Sequence, residues 1–137
     1  MQIRELVAEN PARPRRQKRV DDQDLRVLKA RLELLMDTGK PYLNAELSLP
    51  VLAGQMHLSV HELSYVINEA YQENFFSFVN RYRIDQAKRL LLSDAFDKLN
   101  VLGVAYESGF NSKTTFNTAF KKSTGMAPSA FAKSVNG

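Results

Sequence analysis

Between Ser112 and Lys122 the chain interleaves two chemistries at helical spacing. Phe116 and Phe120, four apart, fall on one side of a helix, and Lys113, Thr114, Asn117, Thr118 and Lys121 fall on the other. Short amides, hydroxyls and ammonium groups on one face suit hydrogen bonding to base edges and attraction to phosphates. Asn117 has the donor and acceptor that match adenine N7 and N6, Lys113 can donate to guanine, and the threonine methyls can pack on thymine methyls. Ser112 is placed to cap this helix, and Gly125 followed by Pro128 to stop it. Just upstream, Val101, Val104 and Ala105 form a short helical stripe, with a tight turn at Gly109 and Phe110. The expected unit is helix, turn, helix.

The pattern occurs twice. A shift of 52 places Leu47, Leu49, Ala53 and Leu58 over Leu99, Val101, Ala105 and Phe110. Beyond the turn a shift of 53 places Leu63, Ile67 and Phe78 over Phe116, Phe120 and Phe131, so the second copy has one extra turn residue. Ser59-Val60-His61-Glu62 is a capping box, which predicts a helix from Ser59 to about Tyr71. On that helix His61, Ser64, Tyr65 and Asn68 oppose Leu63, Val66 and Ile67, and Asn68 is a second candidate partner for adenine. Two copies are too few for a solenoid, so a tandem pair of helix-turn-helix units is the better reading.

These residues resemble a known family. Ala105 to Phe110 (A-x-x-x-G-F), Phe116, Phe120, Lys121-Lys122, Gly125 and Pro128 are similar to the signature of the AraC/XylS transcription regulators. So is Asn80-Arg81-Tyr82-Arg83-Ile84 with Ala87, Leu90 and Leu91, and the likeness covers about Leu47 to Phe131. It departs at Ala132-Lys133, where the family's aromatic residue is followed at once by Arg. The resemblance implies an all-α fold of two homeodomain-like helix-turn-helix subdomains joined by a long central helix. It implies base contacts in successive major grooves from the first turns of two recognition helices, at His61, Ser64, Tyr65 and Asn68 and at Lys113, Thr114, Asn117 and Thr118, with Ser112 also expected at the DNA. Lys121 and Lys122 are expected on phosphates. The implied partners are double-stranded DNA and RNA polymerase, with no cofactor, no metal and a monomeric chain, as in a bacterial activator working in the cytoplasm.

Around these units the expected first helix-turn-helix is about 47–72, the connecting helix about 75–93 and the second helix-turn-helix about 99–124, within a DNA-binding domain of residues 21–137. Phe75, Phe78, Val79, Tyr82, Ala87, Leu90 and Leu91 give the connecting helix one apolar face, suited to a rigid spacer. Arg83 lies beside that face, which favours a bond within the junction over contact with a phosphate. Leu25, Leu28, Leu32 and Leu35 follow Asp21, Asp22 and Asp24 at a helix start, and the stripe is too short for a coiled coil, so packing on the first repeat is expected. Residues 1–20 hold Pro11, Pro14 and five cations at Arg13, Arg15, Arg16, Lys18 and Arg19, and read as a flexible basic arm or linker.

Composition narrows the remaining classes. The chain of 137 residues has net charge +4 and no cysteine, which excludes disulfides and thiolate chemistry. From Leu99 onward four lysines face one acid, whereas residues 59–98 hold five basic and six acidic groups, so the second unit is expected to supply more of the salt-sensitive attraction. His57 and His61 have metal-ligand spacing, but a turn is expected at Leu58-Ser59 and no third ligand is near. No nucleophile constellation or phosphate-binding glycine loop is present, and an enzyme is not expected. The alternative is a helical protein-interaction module that has kept the fold and lost DNA binding; polar reading faces without apolar anchors argue against it.

Regulators of this family carry a separate sensing or dimerising domain, and 137 residues leave no room for one. The chain therefore reads as the C-terminal fragment of a longer signal-responsive regulator, or as a small stand-alone activator. Leu63 to Asn68 and Phe78-Val79-Asn80 resemble a branch in which this domain follows a sensor or membrane-anchored N-terminal domain, which would tether the parent chain to the inner membrane. The basic arm would then meet anionic lipid; otherwise it touches DNA phosphates.

Overall fold

Aspartate and serine caps, placed by the sequence at the starts of apolar stripes, set the order of elements. The computed structural model describes residues 21–136, and every regular element among them is helical: α1 Asp22–Gly39, a 3-10 turn at Pro41–Leu43, α2 Leu49–Gln55, α3 Val60–Tyr71, α4 Phe75–Leu91, α5 Ala95–Glu107, α6 Lys113–Thr124 and α7 Pro128–Asn136. The expected basic arm, residues 1–20, lies outside the described residues. Asp21 caps α1 by accepting from the Asp24 N–H, and the Ser59 capping box forms in full, with Glu62 accepting from the Ser59 N–H at 2.8 Å.

Two cores follow. The first gathers Leu32 and Met36 of α1, Leu52, Ala53 and Met56 around α2, Leu63, Val66 and Ile67 of α3, and Phe75, Phe78 and Val79 of α4. The second gathers Ile84, Ala87 and Leu91 of α4 with Val104, Ala105, Phe110, Phe116, Phe120 and Ala132. The long helix is thus shared, its first half sealing one unit and its second half the other. The α1 stripe packs on the first unit as expected, with Leu25, Leu28 and Leu35 partly buried and the unforeseen Met36 fully so.

Three local features differ from expectation. Residues 95–107 form a helix that breaks at Asn100 (φ 55°, ψ −177°), and the Asn100 side chain accepts from the Gly103 N–H at 3.1 Å, capping the segment that carries the Val101, Val104 and Ala105 stripe. The connecting helix ends at Leu91 rather than near Ser93. Pro128 begins α7 as well as following the stop at Gly125, because a proline at the first helical position lacks only an N–H that would have no partner there.

Candidate nucleic-acid interface

The two copies match bond for bond up to the turn. Leu58 N–H donates to Ala53 O at 2.9 Å as Phe110 N–H does to Ala105 O at 3.0 Å, and His57 N–H to Gly54 O as Gly109 N–H does to Tyr106 O, both at 3.1 Å. His57 and Gly109 occupy the same left-handed position (φ 59° and 98°). Asn111 is the added residue, and beyond it the register resumes at 53: Ser59 and Ser112 cap α3 and α6, and left-handed Gln72 and Gly125 end them. Each second helix therefore turns the same face to its own core, which fixes which residues remain outside.

On α3, His61, Ser64 and Asn68 are exposed, whereas Tyr65 is half-buried and packs against the first core. On α6, Lys113, Thr114, Thr118, Lys121 and Lys122 are exposed. Ser112 is engaged as the cap, accepting from the Thr115 N–H at 3.1 Å and donating to Thr115 Oγ1 at 2.8 Å. Asn117 sits at the rim: it is half-buried, and its Oδ1 is buried with no hydrogen-bond partner. The faces also differ in charge. Helix α3 has two glutamates and no Lys or Arg, and α6 has three lysines and no acid. His57 lies in the turn and His61 on α3, so the two histidines share no helical face. Among the described residues no cluster of three or more His, Cys, Asp or Glu is arranged for a metal, and no helix is long and apolar enough to cross a membrane.

What holds the two faces relative to each other is a clamp at Arg83. Its Nε donates to Tyr42 O at 2.7 Å and its guanidinium also donates to Asn44 O at 3.0 Å, both in the first unit, while the group lies 5.9 Å from the Phe110 ring centre of the second. Burial lowers its pKa below the usual arginine value. The sequence placed Arg83 at the junction but could not show its acceptors, which lie 41 and 39 residues away. Gly109 completes the clamp: a Cβ there would run into the Tyr42 carbonyl oxygen and sit 2.9 Å from Arg83 Nε. The sequence marked a tight turn at this glycine, the structure gives it a positive φ, and the close approach is a second requirement with no local signal. Arg81, two residues away, is held elsewhere, paired with Glu73 at 2.9 Å and stacked over Tyr71, Phe78 and Tyr82. The Glu73 hydrogen bond raises its pKa.

A shared capped register, two outward polar helices and a rigid helix between them define a tandem helix-turn-helix domain. A family model for the helix-turn-helix domain matches residues 52–134, and the chain belongs to the AraC-type helix-turn-helix family of DNA-binding transcription regulators. Family and fold are those of such regulators rather than of enzymes. The chain is 44% identical over 54 residues to a protein described as an uncharacterized HTH-type transcriptional regulator in the cgkA 5′ region of Pseudoalteromonas carrageenovora; the match covers 39% of this chain and 30% of that protein's length. The fold is similar to that of an AraC-type transcriptional regulator from Chromobacterium violaceum (TM-score 0.69, 15% identity, 84% of this chain and 97% of that one). It is also similar to the DNA-binding domain of the global transcriptional factor AdpA, solved in complex with a target DNA (TM-score 0.63, 22% identity, 80% and 90% covered).

Proposed function

We propose that the chain binds duplex DNA sequence-specifically as a monomer, with α3 and α6 in successive major grooves on one face of the helix. In this reading His61, Ser64, Tyr65 and Asn68 read one groove, Lys113, Thr114, Asn117 and Thr118 the other, and Ser112, Lys121 and Lys122 hold the backbone. The observation that carries it is the repeated cap register, which turns two different polar faces the same way relative to their own cores. A continuous helix between them suits two reading helices that must sit about 34 Å apart, one turn of DNA. The DNA-bound AdpA domain of similar fold supports the same ligand class.

Residues 1–20 are in this reading a basic arm or linker ahead of a DNA-binding domain at 21–137, and the whole is the C-terminal part of a longer cytoplasmic or membrane-tethered regulator that acts through RNA polymerase. Selection of sites from random duplex DNA followed by hydroxyl-radical footprinting tests the core of the proposal. The expected result is an asymmetric site of about 20 base pairs with two protected grooves. Protection of a single groove, or palindromes bound only by dimers, would overturn it.

A further inference from the structure

A cleft of about 210 Å³ opens between the two units, beside the start of α6 and just ahead of α2. Leu47, Phe76, Asn80, Arg83, Asn111 and Thr115 line it, and no Asp or Glu does. Three observations bear on what it receives. Its charge is positive, from Arg83, and its other polar groups are neutral. The Asn80 and Asn111 side chains make no hydrogen bond to any described residue, and Thr115 Oγ1 accepts from Ser112, which leaves its own proton to give. Phe76 is 72% exposed at the cleft, the most exposed of the large hydrophobic side chains among the described residues.

A lone exposed phenylalanine is ordinary, but its position here is specific. Helix α4 is the first helix of the second three-helix unit and at the same time follows directly on α3, the reading helix of the first. In homeodomain-like units the chain entering the first helix passes over the minor groove next to the major groove that the third helix reads. The α4 entrance therefore falls over the stretch of duplex between the two grooves. Asn111 adjoins Ser112 at the start of α6, and Leu47 adjoins Ser48 at the start of α2, so both units border the same place.

We propose that this acid-free cleft is a further DNA-contact site, holding the sugar–phosphate backbone between the two major grooves: Asn80, Asn111 and Thr115 donate to a phosphate and Phe76 packs on the adjoining deoxyribose. It rests on the duplex-binding reading above. Contacts of this kind fix register without reading bases.

The test uses the full chain and a duplex selected from random sequence, made with natural linkages or with uncharged methylphosphonates at its central phosphates. The central methylphosphonates are expected to weaken the unmodified protein by more than tenfold, since about tenfold is the size of a single hydrogen bond to a charged group and three donors meet there. Asn80→Ala should weaken binding to the natural duplex about tenfold and be less sensitive than the unmodified protein to the central methylphosphonates. Phe76→Ser should lower affinity on all sequences, with base preference and melting temperature unchanged. If the protein binds, protects two grooves and yet ignores the central methylphosphonates, or if Asn80→Ala remains as sensitive to them as the unmodified protein, the cleft proposal falls alone. If the protein binds no duplex, the duplex-binding reading falls with it.

Discussion

The two helix-turn-helix units have the same hydrogen-bond register and opposite chemistry. The first is braced from outside by α1 and by an aromatic bracket in which the Tyr82 ring lies 5.4 Å from Tyr42 and 5.3 Å from Phe78, centre to centre, and its reading helix has two acids and no Lys or Arg. The second is braced by α7, which brings Phe131 and Ala132 to its core. It is filled by a chain of rings, Phe110, Phe116, Phe120 and Phe131, spaced 5.2 to 5.6 Å, and its reading helix has three lysines and no acid. Backbone geometry can thus be duplicated while side chains diverge, because capping bonds need only a serine and a left-handed turn residue. Core filling and surface charge are then free to specialise. In the DNA-binding reading both units read bases, and the second supplies more of the salt-sensitive attraction.

The largest expected effect separates the cores. Phe120→Ala should cost about 3–5 kcal/mol and Ile67→Ala, its counterpart at a shift of 53, about 2–5 kcal/mol in urea unfolding. Because α4 seals both cores, each variant should still unfold in one transition; two resolved transitions would mean that the units are independent despite the shared helix.

At the paired turn positions the signs should be opposite. Gly109→Ala meets the Tyr42 carbonyl and displaces Arg83, so it should cost at least about 2–3 kcal/mol, whereas His57→Gly relieves a left-handed residue and should be neutral or stabilising by about 0.5 kcal/mol. Thermal melts decide this, and a neutral Gly109→Ala would remove the clamp from the account.

On DNA, Asn117→Ala should cost about 1–3 kcal/mol at preferred sites and relax base choice. Its melting temperature should not fall, since the change removes a buried acceptor that has no partner. Lys122→Ala should weaken all duplexes alike and lower the slope of log K against log salt by about 0.9, while Ser64→Ala in the first unit leaves that slope unchanged. Equal losses for Asn117→Ala on preferred and random duplexes would refute its role as a reader.

The smallest effect lies where α1 meets α3. Tyr71 donates to Glu33 at 2.7 Å, and burial together with that carboxylate raises its pKa above the usual 10. The fold favours the neutral phenol, so this contribution is complete below pH 10 and is lost as pH rises beyond it. Tyr71→Phe should cost about 1 kcal/mol at neutral pH and show a shallower loss of stability above pH 10. An unchanged alkaline limb would mean that Tyr71 does not supply it.

The helices of both units were legible because their signals are local. Ser59, Glu62 and Ser112 lie within three residues of the N–H groups they satisfy, and the 52 and 53 shifts follow from apolar residues at helical spacing. The break at Asn100 was not legible, since an asparagine inside an apolar stretch can cap a helix or simply occupy its surface. Nor could periodicity show that Tyr65 and Asn117 sit at the rim of their cores rather than fully outside, because rim exposure depends on how closely the neighbouring helix packs.

By itself the sequence determined the helical periods, the capped starts, the one added residue in the second turn and the contrast in charge between the two reading helices. These depend on residues within one or two turns of each other. Only the tertiary structure decided that α4 divides its faces between two cores, that Arg83 spans about forty residues to two carbonyls, and that Gly109 must lack a side chain to let Tyr42 approach. Those constraints act through space between groups far apart in the chain, and no local pattern of residues encodes where a distant carbonyl will come to rest.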